Sequence, residues 1–214
     1  MRHDRHCNMS QHISDEKIDG TGGDVGSASV PDIPLPAPFD DYYLCSLTPS
    51  DFSRLADLYN NTDLRYITFR PPYPYTQQDA QWFHDNMANA PVAGYPGTHQ
   101  CWIIRSKSHD GILVGICSTQ FRSGLDTDPL TLGYFVAPEF RGKGIMPTVI
   151  NEVCRQFPGA TFDAEVASGN ASSCRVLEKC GFTKVEGFEH EMRWPESKGG
   201  DLRKMWKFVK LPQS

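Results

Sequence analysis

From residue 42 onward the apolar positions switch between two spacings, and the switches mark out the elements. Leu130 to Val136 is apolar, aromatic and β-branched and stops before Pro138, which predicts a strand. After Met146, the residues Ile150, Val153, Cys154 and Phe157 recur at i, i+3, i+4 and i+7, one face of a packed helix. Pro147 falls in the first turn of that helix, where a missing N–H is tolerated. Phe162, Ala164 and Val166 alternate as in a strand. Asn170 is then a good N-cap, Val176, Leu177 and Cys180 form a buried stripe, and Gly181 is a helix stop.

The first half reads less sharply. Tyr42 to Leu47 predicts a strand, and Thr48-Pro-Ser-Asp51 starts a helix whose face carries Phe52, Leu55, Ala56 and Tyr59. A proline-rich stretch from Arg70 leads to a second helix over 77–90, with Ala80, Phe83, His84 and Met87 turned inward. Strands over 99–104 and 112–121 flank a turn at 106–111, and 184–192 with 202–211 reads as a closing hairpin.

Residues 1–40 are different in kind. They are rich in Gly, Ser and Pro and hold 3 basic and 7 acidic side chains, which predicts a disordered acidic extension ahead of one domain over 41–214. The remaining 174 residues carry 18 basic and 19 acidic side chains, so no basic stripe argues for nucleic acid. His3, His6, Cys7 and His12 read as part of a solvated tail rather than a metal site, and no metal is expected. Seven cysteines form no C-x-x-C pair, which fits a reducing compartment. Without a secretory apolar core or a membrane-length apolar run, the expected location is cytoplasmic, with no membrane partner.

The chemistry concentrates in Arg141-Gly142-Lys143-Gly144, between the predicted strand and the Pro147 helix. Glycines let the backbone turn tightly and approach a ligand, and amides at a helix start lack intrahelical partners and carry the positive end of the dipole. That is a phosphate-binding turn. It is not a P-loop, since Gly144 rather than Ser or Thr follows Lys143, and Pro147 sits where a dinucleotide fingerprint needs a small residue.

The order strand, Val-x-Pro-x-x-Arg-Gly-x-Gly, helix resembles the acetyl-coenzyme-A-binding motif of the GNAT superfamily of N-acetyltransferases, with Arg141, Gly144 and Met146 at its signature places. The segment Asn170-Ala-Ser-Ser-Cys-Arg-Val-Leu-Glu-Lys-Cys-Gly-Phe182 is similar to the second signature of the branch that acetylates ribosomal-protein N termini. The resemblance spans roughly residues 42–210. It implies an α+β fold with a mixed, mostly antiparallel sheet, helices on both faces, and a bulged strand that parts from its parallel neighbour. Coenzyme A would lie in the parting, its pantetheine on free backbone near Phe135 and Val136 and its pyrophosphate on the amides of Arg141, Gly142, Lys143, Gly144, Ile145 and Met146. Asn170 and Ser173 would touch the pantetheine, or simply cap the helix. Tyr73, Tyr75 and Trp82 would line the acceptor cleft, or pack beneath the proline-rich loop.

The implied reaction is transfer of an acetyl group from acetyl-CoA to a primary amine, a small molecule or a protein N terminus, by direct attack in a ternary complex of a monomer or homodimer. A peptide α-amine with pKa near ~8 is about a tenth unprotonated at neutral pH, whereas a lysine-like amine near ~10.4 is far less so. The family's proton-donating Tyr is replaced by Leu177, and Thr131 stands where the ribosomal branch often has Glu. Glu165 points away from the apolar face of its strand and is the candidate base, or else a solvated or ion-paired carboxylate. The alternative to an enzyme is a GNAT-like protein that holds an acyl-CoA for regulation without turning it over.

Overall fold

A computed structural model describes residues 30–121 and 129–212. Residues 1–29 of the extension expected over 1–40, and most of the loop before Pro129, lie outside the described residues. In chain order the elements are β1 (Ile33–Pro34), β2 (Tyr42–Cys45), α1 (Phe52–Asn60), α2 (Thr62–Ile67), α3 (Gln77–Phe83), β3 (Pro91–Val92), β4 (Tyr95–His99), β5 (Cys101–Ser106), β6 (Ile112–Phe121), β7 (Leu130–Val136), α4 (Ile145–Arg155), β8 (Phe162–Ala167), α5 (Ala171–Lys179), β9 (Thr183–Arg193) and β10 (Leu202–Lys210). Eight strands form one sheet in the order β1-β2-β5-β6-β7-β8-β10-β9, and β3 with β4 makes a separate pair. The fold is α+β with a mostly antiparallel sheet, as expected.

Within that sheet β7 and β8 run parallel, and they pair only at Leu130↔Phe162 and Thr131↔Asp163. Thr131 Oγ1 donates to Asp163 Oδ1 at 2.7 Å, and Lys207 Nζ reaches Asp163 Oδ2 at 2.8 Å, so the junction is tied by side chains as well. Beyond it the strands separate. β7 stays with β6 as far as Gly115↔Val136, while β8 stays with β10 as far as Met205↔Ala167. The expected bulge in β7 is not found: its register with β6 runs without a shift from Phe121↔Leu130 to Gly115↔Val136. Twist between two strands held by different neighbours is enough to part them.

Alternation along β7 sends neighbouring side chains to opposite faces. Phe135 meets Tyr59 of α1 at 5.2 Å between ring centroids, and Tyr134 meets Ser173 of α5. Helices therefore cover both faces. α4 buries Ile145, Met146, Val149, Ile150 and Val153, each contributing about 1.5–3 kcal/mol of apolar transfer.

Two elements differ from expectation. The boundary drawn at residue 40 falls inside packed chain: Ile33 and Pro34 pair with Leu44 and Tyr43, and Leu35 is buried in the core. Prolines are tolerated there because β1 is an edge strand. The second helix is also shorter than its pattern, with α3 giving way at His84–Ala88 to a π-helical turn.

Candidate active site

The phosphate turn is built as the glycines require. Gly142 and Gly144 have φ of 75° and 78°, in the left-handed region that side chains disfavour. Gly144 is the N-cap of α4. Among the described residues the amides of Gly142, Lys143 and Gly144, in the turn, and of Ile145 and Met146, in the first helical turn where no intrahelical acceptor exists, meet no acceptor. The amide of Arg141 is different: it donates to Pro138 O at 3.2 Å. Its guanidinium is also engaged, with Val136 O at 3.1 Å and Asp63 Oδ2 at 3.0 Å. Lys143 Nζ lies over the Phe140 ring at 4.8 Å. Arg141 is thus a strut of the turn, and five amides, not six, are left without an acceptor among the described residues.

The parting between β7 and β8 opens beside this turn. Leu130 N reaches across to Thr161 O, and Ala137 N goes the other way to Val114 O. With an unbroken register, the backbone of Leu132, Tyr134 and Val136 faces the parting and that of Phe135 serves β6. Val136 thus turns its backbone to the parting, where its carbonyl accepts from Arg141 Nε at 3.1 Å. Phe135 does not: its backbone is committed, and its side chain packs under α1. On the far side, Asn170 Oδ1 accepts from Ser173 N at 3.2 Å and from Ser172 Oγ at 2.8 Å, a capping geometry. Ser173 Oγ lies 2.7 Å from Tyr134 OH, and burial pushes the Tyr134 phenol above its ordinary value, so it stays protonated.

A cavity of about 920 Å³ lies at the parting, lined from Tyr59 and Tyr75 on the α1 face to Asn170 and Ser173 at the start of α5. Tyr75, Trp82 and Glu165 line it; Tyr73 does not, and stacks instead on the Arg65 guanidinium at 4.5 Å. Tyr75 is buried against Tyr59, whereas Trp82 is 58% exposed. Glu165 is almost buried at the cavity wall, with His190 Nε2 3.6 Å from its Oε2. The cavity's carboxylates are Asp79, Glu165 and Asp201 and its cations Arg70, Arg203 and Lys204, an even balance.

The sequence profile of the Acetyltransferase (GNAT) domain matches residues 42–183, about two-thirds of the chain. This protein belongs to the GNAT acetyltransferase family. Its activity class is that of an acetyl-CoA-dependent acyltransferase. Solved structures share the fold at low identity. The ribosomal-protein-S5-alanine acetyltransferase from Vibrio fischeri superposes with a TM-score of 0.67 at 17% identity, covering 82% of this chain and 96% of that one. A ribosomal L7/L12 α-N-protein acetyltransferase in complex with coenzyme A gives 0.64 at 16%, covering 85% and 98%. Spermidine N-acetyltransferase from Vibrio cholerae, in complex with CoA and spermine, gives 0.59 at 18%, covering 80% and 95%. No curated protein matches the chain in sequence.

For this GNAT protein, motif reading missed the residues that enter through long-range packing. Phe39, from the proline-rich segment, approaches Gly144: a Cβ built there would lie 3.5 Å from Phe39 Cζ. His190 comes to Glu165 across β10. Leu177, at the place of the family's Tyr, is fully buried in the core. Tyr134 was readable only as part of a strand, and its hydroxyl meets Ser173 of α5. Among the described residues no helix is long and apolar enough to cross a membrane.

Proposed function

We propose that this protein transfers an acetyl group from acetyl-CoA to the α-amine of a peptide whose first residues are apolar. The observation that carries the coenzyme half is the conjunction of five unpaired amides at Gly142–Met146 with backbone facing an open parting at Leu132, Tyr134 and Val136. A diphosphate suits the first and an extended diamide the second. Asn170 and Ser173 stand where the pantetheine would run.

The acceptor half rests on the cavity's composition. Among the described residues, five of the seven large apolar side chains left exposed, Tyr66, Ile67, Phe69, Trp82 and Leu202, line this one cavity. Concentration of exposed apolar surface at one opening marks a binding site. A polyamine would call for an excess of carboxylates. Here the charges balance, Asp201 is held by Arg203 at 2.7 Å, and Asp79 is occupied capping α3 through Thr76. A neutral peptide carrying one amine and apolar side chains fits better.

Acetyl-CoA supplies the activated acetyl thioester. Glu165, placed at the cavity wall, takes the proton from the attacking amine, directly or through one water. As the N–C bond forms, the C–S bond breaks, and the hydrogen-bonded hydroxyls of Ser173 and Tyr134 are the donors beside the departing sulfur. Most of the acceleration comes from holding amine and thioester together.

The test is thiol release from acetyl-CoA across a panel of peptides with apolar, polar or acidic first residues, spermidine and free lysine. Fastest release with apolar-start peptides is expected. Preference for spermidine overturns the acceptor class, and acetyl-CoA binding without release from any amine favours the regulatory reading.

A further inference from the structure

Two cations, Lys198 from the β9–β10 turn and Arg203 from β10, hold the end of α2 and the segment that follows it. Lys198 ends a short 3-10 turn over Glu196–Lys198, and only 2% of it is exposed. Its Nζ donates to Thr68 O at 2.6 Å and to Phe69 O at 3.3 Å, carbonyls that follow α2. Arg203 donates to Tyr66 O, ion-pairs with Asp201 at 2.7 Å, and stacks on Trp194 at 4.1 Å. Trp194 in turn meets Phe69 edge-on at 5.3 Å. Three carbonyls of one segment, 66–69, are thus held by side chains from the other end of the chain. That segment carries three of the exposed apolar residues that line the cavity, Tyr66, Ile67 and Phe69.

A buried lysine held by main-chain carbonyls is costly, because desolvation of the ammonium is not offset by a carboxylate. Around Lys198, the turn and the strand ends beside it contribute Glu196, Asp201, Arg203 and Arg193, and α2 with its loop contributes Asp63, Arg65, Tyr66 and Arg70. Among the described residues none forms an ion pair with it. Arg193 is spent on Gly200 O, Asp201 on Arg203, Asp63 on Arg141 and Arg65 on Tyr66. A core position of this kind would be filled more cheaply by an apolar side chain, unless the carbonyls it holds must stay in place.

We infer that Lys198, assisted by Arg203, is a positioning residue that clasps segment 66–69 into the acceptor wall and so sets acceptor affinity without touching coenzyme binding. The inference rests on the acceptor reading of the cavity given above. Burial pushes the Lys198 ammonium down to about 8 in the clasped state. A group whose acidity is raised by clasping releases its proton on closing, so closure strengthens as pH rises from about 8 towards the free-lysine value of ~10.4. Between pH 7 and pH 9 the closed state gains roughly tenfold.

The experiment combines hydrogen exchange of segment 66–75 in the ligand-free protein with kinetics using the peptide amide Ala-Phe-Leu-Gly as acceptor. In the wild type, protection of this segment corrected for intrinsic rate should rise about tenfold from pH 7 to pH 9. Lys198→Met should abolish that rise and weaken acceptor KM at least tenfold, with acetyl-CoA Kd within twofold. Arg203→Gln, less buried, should loosen the same segment while leaving the Lys198 pH dependence in place, and it serves if Lys198→Met does not fold. Flat protection between pH 7 and pH 9 in the wild type overturns the clasp. So does wild-type acceptor KM in a folded Lys198→Met protein. Failure of acetyl-CoA to bind the wild type overturns the coenzyme reading instead, and leaves the exchange result to judge the clasp.

Discussion

Replacing Gly144 by valine separates the binding role of the turn from its structural role. Gly144 holds φ 78° and ψ 11° at the N-cap of α4, and an added Cβ would meet Phe39 Cζ at an ordinary 3.5 Å. The substitution therefore brings no clash, only left-handed backbone, which costs an L-residue about 1–2 kcal/mol and a β-branched one more. Either the turn holds and stability falls, or φ moves to negative values and the peptide planes on both sides rotate. Rotation re-aims the amides of Gly144 and Ile145. Hydrogen bonds to a charged acceptor are worth about 1.5–3 kcal/mol each, so losing two weakens binding by about 3–6 kcal/mol, roughly 10²–10⁴ in Kd. We expect relaxation, since valine is the poorest fit to this region, and hence at least a 100-fold weaker acetyl-CoA Kd by calorimetry. Gly159→Val is the control: Gly159 has φ 79°, with nothing within 4 Å of an added Cβ, and lies past the other end of α4. It should lose a similar amount of stability, about 2–8 °C in Tm for a chain of this length, with Kd unchanged. If both variants lose stability equally and Gly144→Val still binds acetyl-CoA like the wild type, the turn does not hold the coenzyme.

Two further outcomes are expected. Glu165→Gln should lower kcat/KM for the peptide acceptor by at least about 100-fold, the usual weight of a general base, with acetyl-CoA Kd within twofold; unchanged turnover removes Glu165 from the mechanism. His99 is buried beside Trp102 at 4.1 Å, and burial pushes its imidazole down to about 4. Its folded value lies below its unfolded one, so the neutral form is favoured and stability is complete above about pH 6.5. Stability should fall between about pH 6.5 and pH 4, by up to about 3 kcal/mol, and His99→Leu should flatten that part of the denaturation profile.

What the sequence made legible was local. The phosphate turn could be read because its requirement is written in adjacent residues: two glycines for positive φ, and Pro147 just inside the helix. The Asn170 cap and the Leu177 stripe were equally local. The parting of β7 and β8 followed from family resemblance, and the structure supplies its cause, a two-residue parallel junction between strands that each keep another partner. The hidden features depend on distant chain. Pro34 joins the sheet only because Tyr43 offers an edge, and no periodicity in a proline-rich stretch announces that. α2 has six residues, too few to show a helical period. Phe135 and Val136 looked equivalent, and only the direction of the ladder with β6 separates them. Lys198 carried no signal at all, because a lysine beside two glycines reads as solvated, and its partners lie about 130 positions away.

The most direct measurement is an amide NMR titration of the protein with acetyl-CoA, following Gly142, Lys143, Gly144, Ile145 and Met146. These five signals should show the largest shifts and gain exchange protection, together with the parting-facing amides of Tyr134 and Val136, while Arg141, whose amide already serves Pro138, changes less. Saturation with those five amides unmoved, or no binding at all, would contradict the assignment of this turn as the diphosphate grip.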